Sequence, residues 1–366
     1  MLSEKTVKAR LKDIFAHQKA KGLDSILIVN TDNEDPNFIY MTDFRSGIFE
    51  QSFLLLERHG MTLFTSPLEY ETALKQKSGS MRVINVDSKK KLELLKRKIS
   101  GKTIGINAGF MPYSYYLSIR KRYSVKKMVD VSDAFVSVRL VKTPMEVERI
   151  RKGSSITKKA IEVSRRALKI GMTEKQLCTI FENALKSLGA DGTAFSTIVC
   201  FGKNAALPHH MPDGTKLRYG DFVLIDAGAK IDNYCSDVTR TFIFGNYKKK
   251  IPDFEKKMAV INTVKEAQKL AIKSIKEGVL GSKPHLVAQT RIDTANGGVY
   301  KGKFTHALGH SVGIEVHDGP GLWPSAKFKL KAGTVTSVEP GIYIVGFGGA
   351  RIEDDILVTK NGAVVL

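Results

Sequence analysis

Asp226 and Asp237 sit within VLIDAGAKIDNYCSDVTRTF (223–242), a segment that reads as a strand, a tight turn and a returning strand rich in β-branched and aromatic residues. A turn centred between Ile231 and Asp232 places the two carboxylates opposite each other across the ladder. Like charges in that position destabilise a sheet, and ionised carboxylates beside an apolar run are costly to bury. Something positive therefore belongs between them: a divalent metal ion, a shared proton, or an arginine such as Arg240. The plain alternative is an exposed hairpin whose charges point into water.

A later segment repeats the pattern. TVTSVEPGIYI, VGFGG and ARIEDDILVT describe two strands around glycines, and a centre at Gly346 sets Glu339 opposite Glu353, with Pro340 interrupting the first strand. Two such hairpins in one sheet gather four carboxylates, and oxygen donors in that number hold hard or borderline divalent cations, some bridging two ions. Between the hairpins lies FTHALGHSVGIEVHDGP, which carries His306, His310 and His317. In its strand-like part Val312, Ile314 and Val316 alternate with Gly313, Glu315 and His317. One histidine is most often a packed structural group; three in a glycine-rich stretch beside paired acids favour a site. His209 and His210, in NAALPHHMP, are equal candidates on physical grounds, on a loop that Pro208 stiffens.

The elements that must position these residues follow from pattern and punctuation. Before residue 140, strand-like runs at 23–30, 49–58, 60–66, 81–86, 102–106 and 125–131 alternate with helical patterns at 4–20, 68–77, 89–100 and 113–122, which predicts an α/β sandwich. No nucleophile motif, P-loop or dinucleotide fingerprint occurs there. At Leu140–Pro144 the composition changes. Thr143, Pro144 and Glu146 start a helix with a capping box, and Thr173 with Gln176 start another that Gly189 ends. Strands and the first acidic hairpin follow. Helices from Pro252 to near Gly278 and from Pro284 to Asn296 then precede the second hairpin. Two helices followed by strands, twice, predict a pseudo-symmetric α+β domain with its strands in one curved antiparallel sheet. The expected domains are 1–139 and 140–366.

Composition bounds the rest. A chain of 366 residues has ample core for two domains, and no apolar run approaches the roughly 18 residues of a membrane span. The opening MLSEKTVKAR lacks the apolar stretch of a signal peptide, and three cysteines without a CxxC argue against a disulfide framework, so a reducing cytoplasm is expected. The net charge of +21 divides evenly, +10 over residues 1–143 and +11 over 144–366. The cluster Lys89–Lys98 reads as the solvated face of a helix. Weak, salt-dependent attraction to polyanions follows from charge alone, and no specific nucleic-acid or membrane partner is expected.

Five separated motifs, ALPHH, IDAGA with SDVTRTF, HALGHSVGIEVHDGP, SVEPGIYI and ARIEDD, together resemble the Xaa-Pro peptidases (prolidase and aminopeptidase P) of the methionine-aminopeptidase-like, pita-bread metallopeptidases. The segment LDSILIVNTDNEDPNFIYMTDF resembles the start of the creatinase/prolidase N-terminal domain, so the likeness spans the chain. It implies a pita-bread catalytic domain behind a smaller α/β domain and hydrolysis of the bond between an N-terminal residue and proline. It implies two divalent ions (Mn, Co, Zn or Fe) on Asp226, Asp237, His310, Glu339 and Glu353. Asp237 and Glu353 would bridge ions roughly 3.5–4 Å apart. Glu339 would shuttle the proton of the attacking water, His317 would stabilise the oxyanion and His209 would meet the scissile nitrogen. His306 and Arg351 would line the proline pocket or order the site, Thr239 would orient an aspartate, and the protein would be a homodimer. His306 argues against a methionine aminopeptidase, which lacks a histidine there. An inactive, basic adaptor on the same fold, binding nucleic acid or protein, is the alternative that the intact ligand set disfavours. Prolidases of this kind carry an arginine in the loop after the histidine matching His317. Here that loop reads DGPGLWPSAKFKLKAG, with Gly321 at the place expected for the arginine, so cleavage of longer Xaa-Pro-Yaa peptides is expected too.

Overall fold

The computed structural model describes residues 2–32, 34–85, 88–246 and 250–366, with the side chains of 88–92 also outside that description. The chain forms two compact units, Met1–Arg139 and Leu140–Leu366.

The first unit contains strands β1 (Ser25–Asn30), β2 (Ser52–Glu57), β3 (Gly60–Thr65), β4 (Met81–Asn85), β5 (Thr103–Ile106) and β6 (Lys127–Asp130). Its helices are α1 (Glu4–Ala16), α2 (Pro36–Thr42), α3 (Pro67–Gln76), α4 (Ser88–Ile99), α5 (Tyr113–Arg122) and α6 (Ser132–Leu140). The strands make one mixed sheet in the order β4-β3-β2-β1-β5-β6. Central β1, SILIVN, is buried along its whole length, as a strand covered on both faces requires. The end of the strand read to Val86, and the first part of the basic face read over Lys89–Lys98, fall outside the described residues.

The second unit opens with α7 (Pro144–Ala167) and α8 (Glu174–Ser187), followed by β7 (Gly192–Thr193), β8 (Ile198–Phe201), β9 (Phe222–Ala227), β10 (Ala229–Ile231), β11 (Tyr234–Cys235) and β12 (Val238–Ile243). Then come α9 (Phe254–Lys273), α10 (Ser282–Thr294) and β13 (Val335–Val338), β14 (Gly341–Ile344), β15 (Gly348–Arg351), β16 (Asp354–Val358) and β17 (Ala363–Val365). Both capping boxes form: Thr143 accepts the Glu146 N–H while Glu146 accepts that of Thr143, and Thr173 and Gln176 do the same for α8. By contrast α9 begins two residues after Pro252, because Asp253 is left-handed (φ 52°), and it ends at Lys273, short of Gly278.

Among the described residues, two apolar clusters lie in this unit, and β9 belongs to both. Val223, Ile225 and Ala227 pack with Ile156, Ala160, Leu177 and Phe181 of α7 and α8. Phe222 and Leu224, on the opposite face, pack with Val260, Val264 and Ala267 of α9 and with Ile342 and Ile356. Alternation thus sends the face of Asp226 toward the second half of the unit. The curved sheet is hydrogen-bonded as four short ladders, β12-β9-β8, β11-β10-β7, β13-β16-β17 and β14-β15. One break falls at Glu339–Pro340, where Pro340 has no N–H to donate. No helix among the described residues is long and apolar enough to cross a membrane.

Candidate metal centre

The first acidic hairpin turns at Asp232 and Asn233, both left-handed (φ 48° and 72°), which is the backbone of a tight primed turn. That places the turn one residue later than the pattern predicts. Asp226 therefore faces Thr239, and not Asp237. Asp237 lies two residues before Thr239 and so keeps the same face. The second hairpin takes the expected register: Gly341 pairs with Arg351 and Val338 with Asp354, which sets Glu339 against Glu353 across the break.

Strand β12 joins the two hairpins. The Thr239 hydroxyl donates to Glu353 Oε2 at 2.6 Å, the Glu353 N–H donates to the Thr239 carbonyl at 3.1 Å, and the Thr241 hydroxyl donates to the Arg351 carbonyl at 2.8 Å. The alternate threonines of SDVTRTF thus bring Glu353 beside Asp237. Ligand atoms of Asp237, His310 and Glu353 lie within 4.8 Å of one another.

The histidine segment is not a strand. It is a loop held by single bridges, His310 to Gly321 and Ser311 to Thr336, so His317 reaches the site through loop closure and not by alternation. His310 Nδ1–H donates to the Val316 carbonyl at 3.0 Å, which leaves Nε2 as an acceptor. That nitrogen stands 3.5 Å from both Asp237 Oδ2 and Glu339 Oε1. Burial, and then His317 beside it, push the His310 pKa down to about 4, so the ring is neutral. An acceptor nitrogen facing two carboxylates fits a cation, or a proton held by one of the acids, between them.

The carboxylates agree. Asp226 Oδ1, Asp237 Oδ1 and Glu353 Oε1 are all buried without a hydrogen-bond partner. Burial and then the neighbouring acids, Glu353 first, raise the Asp237 pKa well above its ordinary value. Glu353 is raised by burial and then by Glu339. Glu339 is pushed up to about 8 by burial, against the opposing pull of Arg351. Orphaned oxygens in a crowd of acids with one imidazole nitrogen fit hard or borderline divalent cations.

Arg351, and not Arg240, is the arginine that reaches the first pair, and only at Asp226: it donates to Asp226 Oδ2 and, at 2.8 Å, to the Tyr343 hydroxyl. Arg240 turns to the Glu353 carbonyl and Asp354. Tyr343 in turn donates to His306 Nε2 at 2.8 Å, while His306 Nδ1–H donates to the Ala307 carbonyl. Burial, then Arg351, lower the His306 pKa to about 4. Sequence reasoning missed Tyr343. The signal was its parity with Glu339 and Gly341 in EPGIYI: a side chain at Gly341 would collide with the Tyr343 ring, which folds back to reach Arg351. It also missed Asp355, which accepts the Asp237 N–H at 3.0 Å and the Ser154 hydroxyl at 2.6 Å.

The site opens into a cavity of about 490 Å³ lined by His209, His306, His317, Trp323, Glu339 and Arg351, among others. His209 faces it. His210 does not; its Nε2–H donates to Glu174 at 2.7 Å. Glu174 is fully buried and also accepts from the Phe201 and Asp213 N–H groups and from Asn204, so Glu174, His210 and Asp213 form a saturated hydrogen-bond hub. A larger groove of about 760 Å³ against α9 and α10 is lined by no acid or histidine.

Residues 148–360 match metallopeptidase family M24 and residues 10–141 match the creatinase/prolidase N-terminal domain. The Xaa-Pro dipeptidase of Pyrococcus horikoshii is 32% identical over 355 residues, 97% of this chain and 95% of that protein. The solved structure of the Xaa-Pro dipeptidase from Bacillus anthracis shares the fold with a TM-score of 0.87 at 28% identity, covering 99% of this chain and 97% of that one. The X-Pro aminopeptidase from Thermotoga maritima gives 0.85 at 31% identity over 98% and 96%. The acid–imidazole cluster lies wholly inside the catalytic match, and the likeness runs on through both units, so the chain belongs to metallopeptidase family M24 and carries the creatinase/prolidase-type N-terminal domain.

Proposed function

We propose that this peptidase cleaves the bond between an N-terminal residue and proline, with two divalent ions held by Asp226, Asp237, His310, Glu339 and Glu353. The observation that carries the reading is the cluster of Asp237, His310 and Glu353, whose two acids each keep a buried oxygen without a hydrogen-bond partner beside an imidazole Nε2 left as an acceptor. When bound, the ions polarise the scissile carbonyl and lower the pKa of a water. Mn, Co, Zn or Fe suit such donors. Glu339 takes a proton from the attacking water and passes it to the leaving proline nitrogen. His317, its ring 4.1 Å from that of His310 and edge-on to it, stabilises the developing oxyanion. His209 meets the scissile nitrogen. His306 and Arg351, joined through the Tyr343 hydroxyl, form the wall against which the proline ring packs.

The cavity supports substrates longer than dipeptides. A strict dipeptidase must clamp the proline carboxylate, for which a bidentate arginine is the usual device. An added Cβ at Gly321 would stand 2.6 Å from Trp323 Nε1, so the indole fills the place of a longer side chain. Arg351 is engaged by Asp226 and Tyr343, and Lys327 and Lys329 do not line the cavity. Three free cysteines fit a reducing cytoplasm. The homodimer rests on family likeness alone; a monomer by light scattering at micromolar concentration refutes it. The decisive test of the activity is a panel of Xaa-Pro and non-proline peptides assayed after chelation and after re-addition of each metal. Metal-restored cleavage confined to Xaa-Pro bonds is expected. Equal cleavage of non-proline peptides, or activity untouched by chelation, overturns the reading.

A further inference from the structure

Lys142 and Asp318 form an ion pair at 3.1 Å with side chains only 1% and 2% exposed. A pair so buried adds little stability over apolar residues of the same size, while losing one partner leaves a stranded charge. Its value here lies in what each end holds. Lys142 is anchored at the backbone, where its N–H donates to the Gly333 carbonyl at 2.9 Å and the Gly333 N–H donates to Val358 at the end of β16. Asp318 closes the loop 311–318 from both sides. Its N–H donates to the Ser311 carbonyl at 2.8 Å, and its Oδ1 accepts the Glu315 N–H at 3.3 Å. Inside that closed loop sits the Val316 carbonyl that accepts the His310 Nδ1–H hydrogen bond, followed by His317. Gly313 makes the arrangement possible, since a Cβ there would run into the Asp318 carboxylate and approach Lys142 Cε at 3.1 Å.

We propose that Lys142 and Asp318 are positioning residues: their ion pair fixes the 311–318 loop so that Val316 sets the His310 tautomer and His317 faces the cavity. This rests on the reading of His310 as a metal ligand and His317 as a group that meets the substrate. Neither Lys142 nor Asp318 touches the cavity. They act through the loop, and the loop acts through one carbonyl and one ring.

The test compares Lys142→Met, Gly313→Ala and the apolar pair Lys142→Met/Asp318→Leu with wild type. Three readouts are used: hydrogen exchange over 311–318 in the metal-free protein, Co²⁺ affinity by competition with a chromophoric chelator, and kcat and KM on a Xaa-Pro peptide. Both single variants are expected to lose loop protection, to bind Co²⁺ about 10- to 100-fold more weakly, and to lose kcat with KM little changed. The apolar pair is expected to recover Tm, because no charge is stranded, yet to keep the loose loop and the low kcat. Wild-type loop protection and Co²⁺ affinity in the single variants overturn the inference, as does recovery of kcat together with Tm in the apolar pair. If wild type itself cleaves no Xaa-Pro bond while the variants still lose loop protection and Co²⁺ affinity, the proposed activity fails and the positioning role stands.

Discussion

The Thr239 hydroxyl donates to Glu353 Oε2 at 2.6 Å, so the residue facing Asp226 across one hairpin orients an acid of the other. Thr239→Val keeps the shape and removes that donor. We expect a stability loss of about 1–3 kcal/mol, the cost of an unsatisfied buried oxygen. Affinity for Mn²⁺ should fall about 10- to 100-fold, as is usual when a ligand loses its orienting partner. Urea melts with and without Mn²⁺ separate the two effects; an unchanged metal affinity would refute the orienting role.

Chelation should abolish activity without unfolding the chain, because the two apolar clusters do not depend on the ions. Restoring Mn²⁺ at about 100 times its Kd should raise stability by about 2.7 kcal/mol. Thermal melts in chelator and in Mn²⁺ give the answer, and coincident melts would show that no ion binds the folded state.

Glu339→Gln keeps the volume and removes the carboxylate proposed to carry the proton. A loss of about 10²–10⁴ in kcat is expected, with the far-ultraviolet dichroism of the wild type. Wild-type turnover in this variant would exclude Glu339 from proton transfer.

Substrate length is read from kcat/KM for a Xaa-Pro dipeptide and for the same dipeptide extended by one residue. Trp323, 54% exposed at the cavity beside Gly321, predicts comparable values. A dipeptide preference of a hundredfold, about 2.7 kcal/mol in transition-state binding, would reveal a carboxylate clamp.

The thiols should be inert in the folded protein. Burial, and then Glu182, push Cys178 from 9.0 up to about 12, and burial pushes Cys235 to about 12 as well. A thiol whose pKa is raised by folding contributes stability that is intact below pH 9 and is lost as pH climbs toward 12. The urea midpoint should therefore fall across that window. A disulfide reagent at pH 8 should react slowly with native protein and with three thiols once it is unfolded. Rapid native labelling would contradict this burial.

What the sequence discloses depends on how local the cause is. The capping boxes at Thr143 and Thr173 are legible because each closes over three residues. The second hairpin is legible because Gly346 marks its turn. The first is misread by one turn position: Asp232 and Asn233 take left-handed backbone without a glycine to announce it. The acids share a face regardless, since a partner shift of two residues preserves parity. The choice of His209 over His210 cannot be read locally, because Glu174, far back on α8, decides it. The same holds for the choice of Arg351 over Arg240, and for the loop that replaces the strand-like part expected at 312–317, where bridges from His310 and Ser311 to Gly321 and Thr336 override the alternation.

Strand β9 is buried on alternate faces by two different clusters and carries Asp226 near its end. A strand shared in this way couples the two halves of the unit into one cooperative block, since neither half can open without stripping the strand from the other. Asp226 is then among the last residues to be released, and exchange of the β9 amides should report global unfolding rather than breathing of the site. Local opening elsewhere in the unit then leaves Asp226 in place, which separates the motion that turnover needs from the rigidity that holds the acids together.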